Sequence, residues 1–224
     1  MVKFERKATV KAQQAVDSLA KEKAKQGTYN TKEVNLALTE MFHGKCYICE
    51  NKRITSYQIE HLTPHRGNEQ LKYDWNNLFL SCAHCSNIKS VKYEPILDCS
   101  LVDVDKKIAF RKIGFFGTDE KLEFEPLSDE VETKNTVMLL QEAYYGSTSQ
   151  KKMEATVIRR ELRKELAQFK ECVREYQEAE GEDKEDLFCE LKRELSEKSA
   201  FTAFKRWLIR DNREYFSELM GFVE

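Results

Sequence analysis

The sequence predicts an α+β fold: a small β-hairpin and helix held together by cysteines, with N-terminal helices before it, a short β meander after it and a mainly helical C-terminal region. Three observations predict it. Two C-x-x-C pairs, Cys46/Cys49 and Cys82/Cys85, bracket a segment that contains alternating, β-branched residues. Apolar residues recur every three or four positions before Cys46 and again through the stretch after Asp129. Between Ile96 and Leu127 the apolar runs are short, rich in β-branched and aromatic residues, and punctuated by glycine.

Taken in order, Arg6 to Lys25 reads as an amphipathic helix with Val10, Ala12, Ala15, Val16 and Leu19 on one face and Gly27 ending it. Its basic excess (Lys3, Arg6, Lys7, Lys11, Lys21, Lys23, Lys25) makes either a solvated face or one that reaches phosphates. Thr31 is placed to cap a second helix carrying Val34, Leu36, Ala37, Leu38 and Met41, which delivers the chain to the first cysteine pair. His43, just beyond it, is expected to be structural. Ile54 to Ile59 then predicts a strand ending at Glu60-His61, with Leu78-Phe79-Leu80 as its antiparallel partner. The loop between them carries Pro64, Gly67, Asn68 and Trp75, and offers His65 and Arg66 as solvated charges or phosphate contacts.

Each C-x-x-C can close two corners of a tetrahedral thiolate site, and zinc is the ion such a site takes. One pair alone could be a redox dithiol. Two pairs separated by a hairpin-sized segment predict a structural Zn²⁺ on Cys46, Cys49, Cys82 and Cys85, with no coordination position left open for chemistry. Cys99, Cys172 and Cys189 are scattered singly, which suits a reducing compartment without a disulfide framework.

The order of the intervening residues, E-H…P…N-L…C-x-x-C…K, resembles the HNH or ββα-metal motif of the His-Me finger nucleases. The resemblance implies a zinc-stabilised HNH core that hydrolyses phosphodiester bonds of nucleic acid. His61 would be the general base, since a neutral imidazole can take a proton from water near neutral pH. Glu60 would hold a catalytic Mg²⁺ or Mn²⁺ together with a ligand from the helix at the second cysteine pair. Asn77, or its neighbour Asn76, would bond the loop backbone and orient His61, and Lys89 would hold a phosphate as a point charge. The familiar ending is C-x-x-C-N-x-x-K, whereas Ser86 follows Cys85 here and Asn87 comes one residue later, rotated by about a quarter turn or more on a helix. The helical ligand is therefore open among Asn87, Ser86 and His84, with Asn87 favoured because an amide oxygen suits a hard cation.

Beyond the core, Val102, Val104, Ile108, Phe110, Ile113, Phe115 and Phe116, with Gly114 and Gly117 as turn formers and Leu122, Phe124 and Leu127 closing, predict the antiparallel meander. Val131 to Tyr145 predicts a helix ended by Gly146, and Ser149 can cap a long one with Leu162, Leu166, Phe169, Val173 and Tyr176 on its stripe. Gly181 and Asp183 mark a reversal into a helix with Leu187, Leu191 and Leu195. Phe201, Phe204, Trp207 and Leu208, then Tyr215, Phe216, Leu219 and Met220, predict two shorter terminal helices. Two domains follow: residues 1–128, a nuclease domain with its N-terminal helices and meander, and residues 129–224, a helical domain that docks a partner. Alternating charges such as Arg159, Arg160, Glu161, Arg163, Lys164 and Glu165 speak for a solvated face there, and the aromatic density of the terminal helices for an interface.

Charged residues make up 34% of the 224, yet the net charge is −2, so any nucleic-acid face must be local. Apolar runs are too short to cross a bilayer and the first residues lack a signal-peptide core, so a cytoplasmic protein with no membrane partner is expected. The whole layout looks like the PtuB-type nucleases of Septu and retron antiphage systems. That resemblance implies a bacterial defence effector acting on DNA in preference to RNA. Its partner would be a PtuA-like ATPase of the ABC class, joined in retron systems by a reverse transcriptase and its nucleic acid. The alternatives are a stand-alone restriction or mobile-element HNH nuclease, and a non-catalytic zinc-stabilised nucleic-acid-binding or adaptor module.

Overall fold

The computed structural model describes residues 1–114 and 120–224. Phe115, Phe116 and Gly117, which the sequence pattern assigns to the meander, lie outside the described residues. Residues 1–9 are not helical, in contrast to the expected start at Arg6. Met1, Val2 and Phe4 are buried, the Phe4 N–H donates to the Cys99 carbonyl at 3.0 Å, and the first helix, α1 (Val10–Ala24), starts only where the Thr9 hydroxyl accepts from the Ala12 N–H at 3.1 Å. Arg6 is no free phosphate-binding charge. Its guanidinium donates to the carbonyls of Trp75, Asn76 and Leu78 at 3.1, 3.1 and 2.9 Å and stacks over Phe79. On α1 the buried residues are Ala12, Ala15 and Leu19, while Val10 and Val16 face solvent. The second helix, α2 (Lys32–Met41), begins at the Thr31 cap, as the sequence predicts, with Leu36 exposed.

Strand β1 (Tyr57–His61) pairs antiparallel with β2 (Leu78–Cys82), Ile59 facing Leu80 and His61 facing Leu78. Every residue of β2 is buried. The connection contains α3 (Glu69–Lys72), capped by Asn68, and a 3₁₀ turn at Trp75–Asn77. Helix α4 (Ala83–Lys89) follows β2 without a break. The expected meander is narrower than its sequence pattern. Residues 96–107 form turns and the short α5 (Val104–Lys107), because Asp98 accepts from the Ser100 N–H and hydroxyl and the Leu97 N–H is taken by the Thr136 hydroxyl at 2.9 Å. Only β3 (Ile108–Ile113) and β4 (Lys121–Pro126) pair, as a separate two-stranded antiparallel sheet.

The C-terminal region is helical as predicted: α6 (Val131–Tyr145), α7 (Ser149–Glu178), α8 (Gly181–Glu194) and α9 (Thr202–Asp211), then a 3₁₀ turn at Ser217–Phe222. Gly146 ends α6 at φ +69°, where an added Cβ would lie 2.4 Å from the Lys151 backbone, so glycine is required. Thr148, one residue earlier than Ser149, caps α7. The terminal aromatics differ from the interface expectation: Phe201, Phe204 and Phe216 are buried, and only Tyr215 stands free. Phe204 packs its ring on Phe110, Phe124 and Tyr144, so these side chains fill the space between the second sheet and α6. One buried cluster runs from Met1 to Phe204 and a second joins the end of α7 to α8 and the C-terminal turn. The first crosses the position 128/129: the Tyr144 hydroxyl donates to the Cys49 carbonyl at 2.8 Å and the Ala203 N–H to the buried Glu50 carboxylate at 3.0 Å. Among the described residues no helix is long and apolar enough to cross a membrane.

Glu142 is the ionic knot between α6 and its neighbours. Its carboxylate accepts from Lys92 at 2.7 Å, Ser147 at 2.7 Å and Lys151 at 2.9 Å, and from the Tyr93 hydroxyl. Burial alone would raise its pKa, but these donors outweigh burial and hold it well below the usual carboxylate range. With a folded pKa below the unfolded one, this group stabilises above the unfolded pKa of about 4.3, and the contribution is lost as pH falls through the folded value. Glu142→Gln is expected to cost on the order of 1–2 kcal/mol at neutral pH, a drop of a few degrees in melting temperature. That gap from the wild type should narrow below about pH 4 in thermal melts across pH; a gap that stays constant would rule the charge out as its cause.

Candidate active site and cysteine cluster

The cysteine cluster is built by three local devices. The turn after α2 presents Cys46 and Cys49, closed by the Glu50 N–H donating to the Cys46 carbonyl at 2.9 Å. The Tyr47 N–H donates to the Leu80 carbonyl at 2.9 Å and so ties that turn to β2. Cys82 ends β2 and caps α4, its sulfur accepting from the Cys85 N–H at 3.4 Å. The four sulfurs lie within 4.8 Å of one another, all are buried, and none is in a disulfide. Contact with Cys46 and the other sulfurs, with burial added, pushes the Cys49 and Cys85 thiols well above their ordinary range. Four soft donors crowded at this spacing and shielded from water fit a tetrahedral zinc site, in which the cation's charge lets all four ionise. Among the described residues this is the one group of three or more His, Cys, Asp or Glu close enough to share an ion.

His61 ends β1 opposite Leu78, at the end of the hairpin away from Cys82, and is 6% exposed. Its Nε2 lies 3.0 Å from the Lys72 carbonyl. A carbonyl only accepts, so Nε2 carries the proton and the lone pair of the neutral ring is on Nδ1. Burial lowers the His61 pKa from its ordinary value; the hydrogen bond to Lys72 opposes that without reversing it. The Tyr29 and His65 rings meet it edge-on, with centroids at 4.6 and 4.9 Å. Asn77 is buried and staples the loop: its Oδ1 accepts from the Thr63 N–H at 2.8 Å, and its Nδ2 donates to the carbonyls of Thr63 and Leu71 at 2.8 and 3.1 Å. Leu71 adjoins Lys72, so the same amide anchors the residue next to the one whose carbonyl His61 uses.

The Glu60 carboxylate turns toward α4, accepting from the Ser86 hydroxyl and standing 3.5 Å from the Lys89 ammonium. Asn87 is not brought to it: that side chain is exposed. His84 is on another side of α4, buried, with Nδ1 2.6 Å from the Glu154 carboxylate and Nε2 2.8 Å from the Ala143 carbonyl. It clasps α4 to α6 and α7. Lys89 cannot reach a phosphate as the motif suggests, because it is fully buried and donates to the His61 carbonyl at 2.8 Å. Burial lowers its pKa, against the pull of Glu60. No pattern in the sequence points to Tyr29, which comes from the α1–α2 loop: Gly27 is drawn onto α3 by the Tyr73 hydroxyl and Lys72 ammonium, which donate to its carbonyl at 2.7 and 3.2 Å.

A β-hairpin and helix fastened by four cysteines able to hold zinc, with small antiparallel sheets and a helical C-terminal region, define an α+β protein with a candidate zinc site. No family model matches the chain. Over 71 residues it is 34% identical to the Septu protein PtuB of Bacillus thuringiensis, a stretch that covers 29% of this chain and 28% of that protein. The likeness thus spans less than a third of either length.

If the cluster holds zinc, the purified protein should contain close to one zinc per chain by atomic emission. Cys46→Ser or Cys85→Ser should remove most of that zinc and lower the melting temperature by on the order of 10 °C or more, since metal binding free energy here is folding free energy. A soluble Cys46→Ser variant that melts like the wild type would remove the structural role.

Proposed function

We propose that the chain is a metal-dependent HNH-type endonuclease that hydrolyses phosphodiester bonds of nucleic acid, with DNA the preferred substrate. The observation that carries this reading is the His61 tautomer: its Nε2–H is committed to the Lys72 carbonyl, which leaves Nδ1 as a base at the end of a hairpin whose preceding residue is a carboxylate. In the proposed step, water attacks phosphorus and gives its proton to His61 Nδ1. The bond to the 3′ oxygen breaks, and that oxygen takes a proton from solvent. Asn77 serves as a positioning residue, holding the loop and the Lys72 carbonyl against which the imidazole is set.

The proposed divalent ion would sit at Glu60. One carboxylate beside the Ser86 hydroxyl, with the Lys89 ammonium 3.5 Å away and no group of three acidic, His or Cys ligands there among the described residues, favours Mg²⁺, which keeps several waters and accepts one or two protein carboxylates. When bound, it supplies positive charge to the phosphate and the leaving oxygen. Ser86, whose hydroxyl already meets Glu60, replaces Asn87 as the favoured helical oxygen in this reading.

The likeness to PtuB supports a role in an antiphage system, with a PtuA-like ATPase of the ABC class as partner. The region from residue 129 is the proposed docking surface, where Val131, Met138, Met153 and Val157 stand exposed on α6 and α7.

A plasmid-nicking assay with Mg²⁺ and Mn²⁺, on the chain alone and with the ATPase, tests the proposal. His61→Ala should lower cleavage by about a thousandfold while the variant stays folded and keeps its zinc. Ser86→Ala should impair cleavage more than Asn87→Ala, and the opposite order would return the ligand to Asn87. A wild-type chain that binds nucleic acid but never nicks it, with or without the partner, would leave the non-catalytic binding module as the reading that stands.

A further inference from the structure

We propose that His65 is a substrate-contacting residue of this site, its Nε2–H donating a hydrogen bond to a phosphate oxygen of the bound nucleic acid without giving up the proton. This rests on the nuclease reading of His61. The geometry behind it is a pair of opposite tautomers. The Gly67 N–H donates to His65 Nδ1 at 3.2 Å. A backbone N–H can only donate, so Nδ1 is bare and the proton of the neutral ring is on Nε2. His61 is fixed the other way by the Lys72 carbonyl. The two rings stand 4.9 Å apart at 60°, so one offers a lone pair and its neighbour an N–H.

Phosphate oxygens only accept, so the site must supply donors, and most groups around His61 cannot. Glu60 is an acceptor, and the Ser86 hydroxyl is spent on it. Lys89 is buried against the His61 carbonyl. Arg66, the neighbouring cation of the loop, is turned to Glu94 at 3.0 Å. His65 is half-buried, and among the described residues no acceptor is bonded to its Nε2. Its position is set by the chain and not by the substrate: the Asn68 N–H returns to the His65 carbonyl at 2.6 Å, and Arg66 and Gly67 both adopt positive φ to make that turn. A donor held in this way loses little freedom on binding.

The test compares wild type, His65→Phe, His65→Gln and His61→Ala in the full chain. Single-turnover cleavage is measured with Mg²⁺, and the affinity for a short fluorescein-labelled DNA duplex is measured in EDTA across salt concentrations. His65→Phe keeps a ring against His61 but removes the donor, and should lower cleavage at saturating duplex, or affinity, by about tenfold to a hundredfold. His65→Gln restores an N–H and should recover most of that loss. The salt slope of binding should be the same in both variants as in wild type, since a neutral donor displaces no counterion. A His65→Phe variant equal to wild type in cleavage and affinity overturns the proposal. So does one whose salt slope falls by about one, which would make His65 a cation. If wild type and His61→Ala are equally inactive, the nuclease reading fails, while the binding comparison of His65→Phe with His65→Gln still decides whether His65 contacts nucleic acid.

Discussion

Four sulfurs within 4.8 Å decide where the rest of the N-terminal half can go. A hairpin of two five-residue strands is marginal by itself, and α4 is too short to persist alone. The cluster removes that weakness by fastening the turn after α2 to the end of β2 and the first turn of α4. Since α4 is held there, Ser86 and Lys89 come to the Glu60 carboxylate, and Lys89 in turn holds the His61 carbonyl. The candidate site thus depends on the cysteine cluster and shares no residue with it.

Within the site, main-chain groups set the protonation pattern. Lys72 offers His61 a carbonyl and Gly67 offers His65 an N–H, and these two backbone atoms make two otherwise similar imidazoles chemically opposite. Asn77 sits behind this arrangement, with three bonds to the backbone of the loop that bears His65 and follows His61. Side-chain chemistry here is chosen by backbone geometry, which is why a loop lacking regular structure over much of its length is nonetheless so fully hydrogen-bonded.

Much of the architecture was legible where the signal was local. Thr31 at a cap, Glu60-His61 at a strand end, Gly146 after α6 and the paired cysteines each act through neighbours a few residues away. What could not be read depends on remote partners. The N-terminal residues look like the first turns of α1, but Phe4 and Arg6 gain more from Cys99, Trp75 and Leu78 than from helix bonds. Phe201 and Phe204 look like an interface because nothing in their vicinity reveals that Phe110, Phe124 and Tyr144 will cover them. Lys89 looks like a free cation for the same reason. That Ser86 meets Glu60 while Asn87 is exposed turns on the angular position of a residue on a single helix turn, which periodicity in a seven-residue helix is too coarse to read.

The buried Glu50 carboxylate has a consequence for the order of events as the chain is made. It meets the Met1 amino group at 3.3 Å and Lys45 at 3.2 Å, yet its remaining bond comes from the Ala203 N–H. Until that late segment docks, the acid beside Cys49 has cations but no cover, and the floor of the Cys46–Cys49 turn stays open to water. Residue 50 therefore waits for residues 201–203, a closure of long sequence separation that slows folding. During that wait the Cys49 side of the cysteine cluster is accessible, and it is sealed only when residues 201–203 dock.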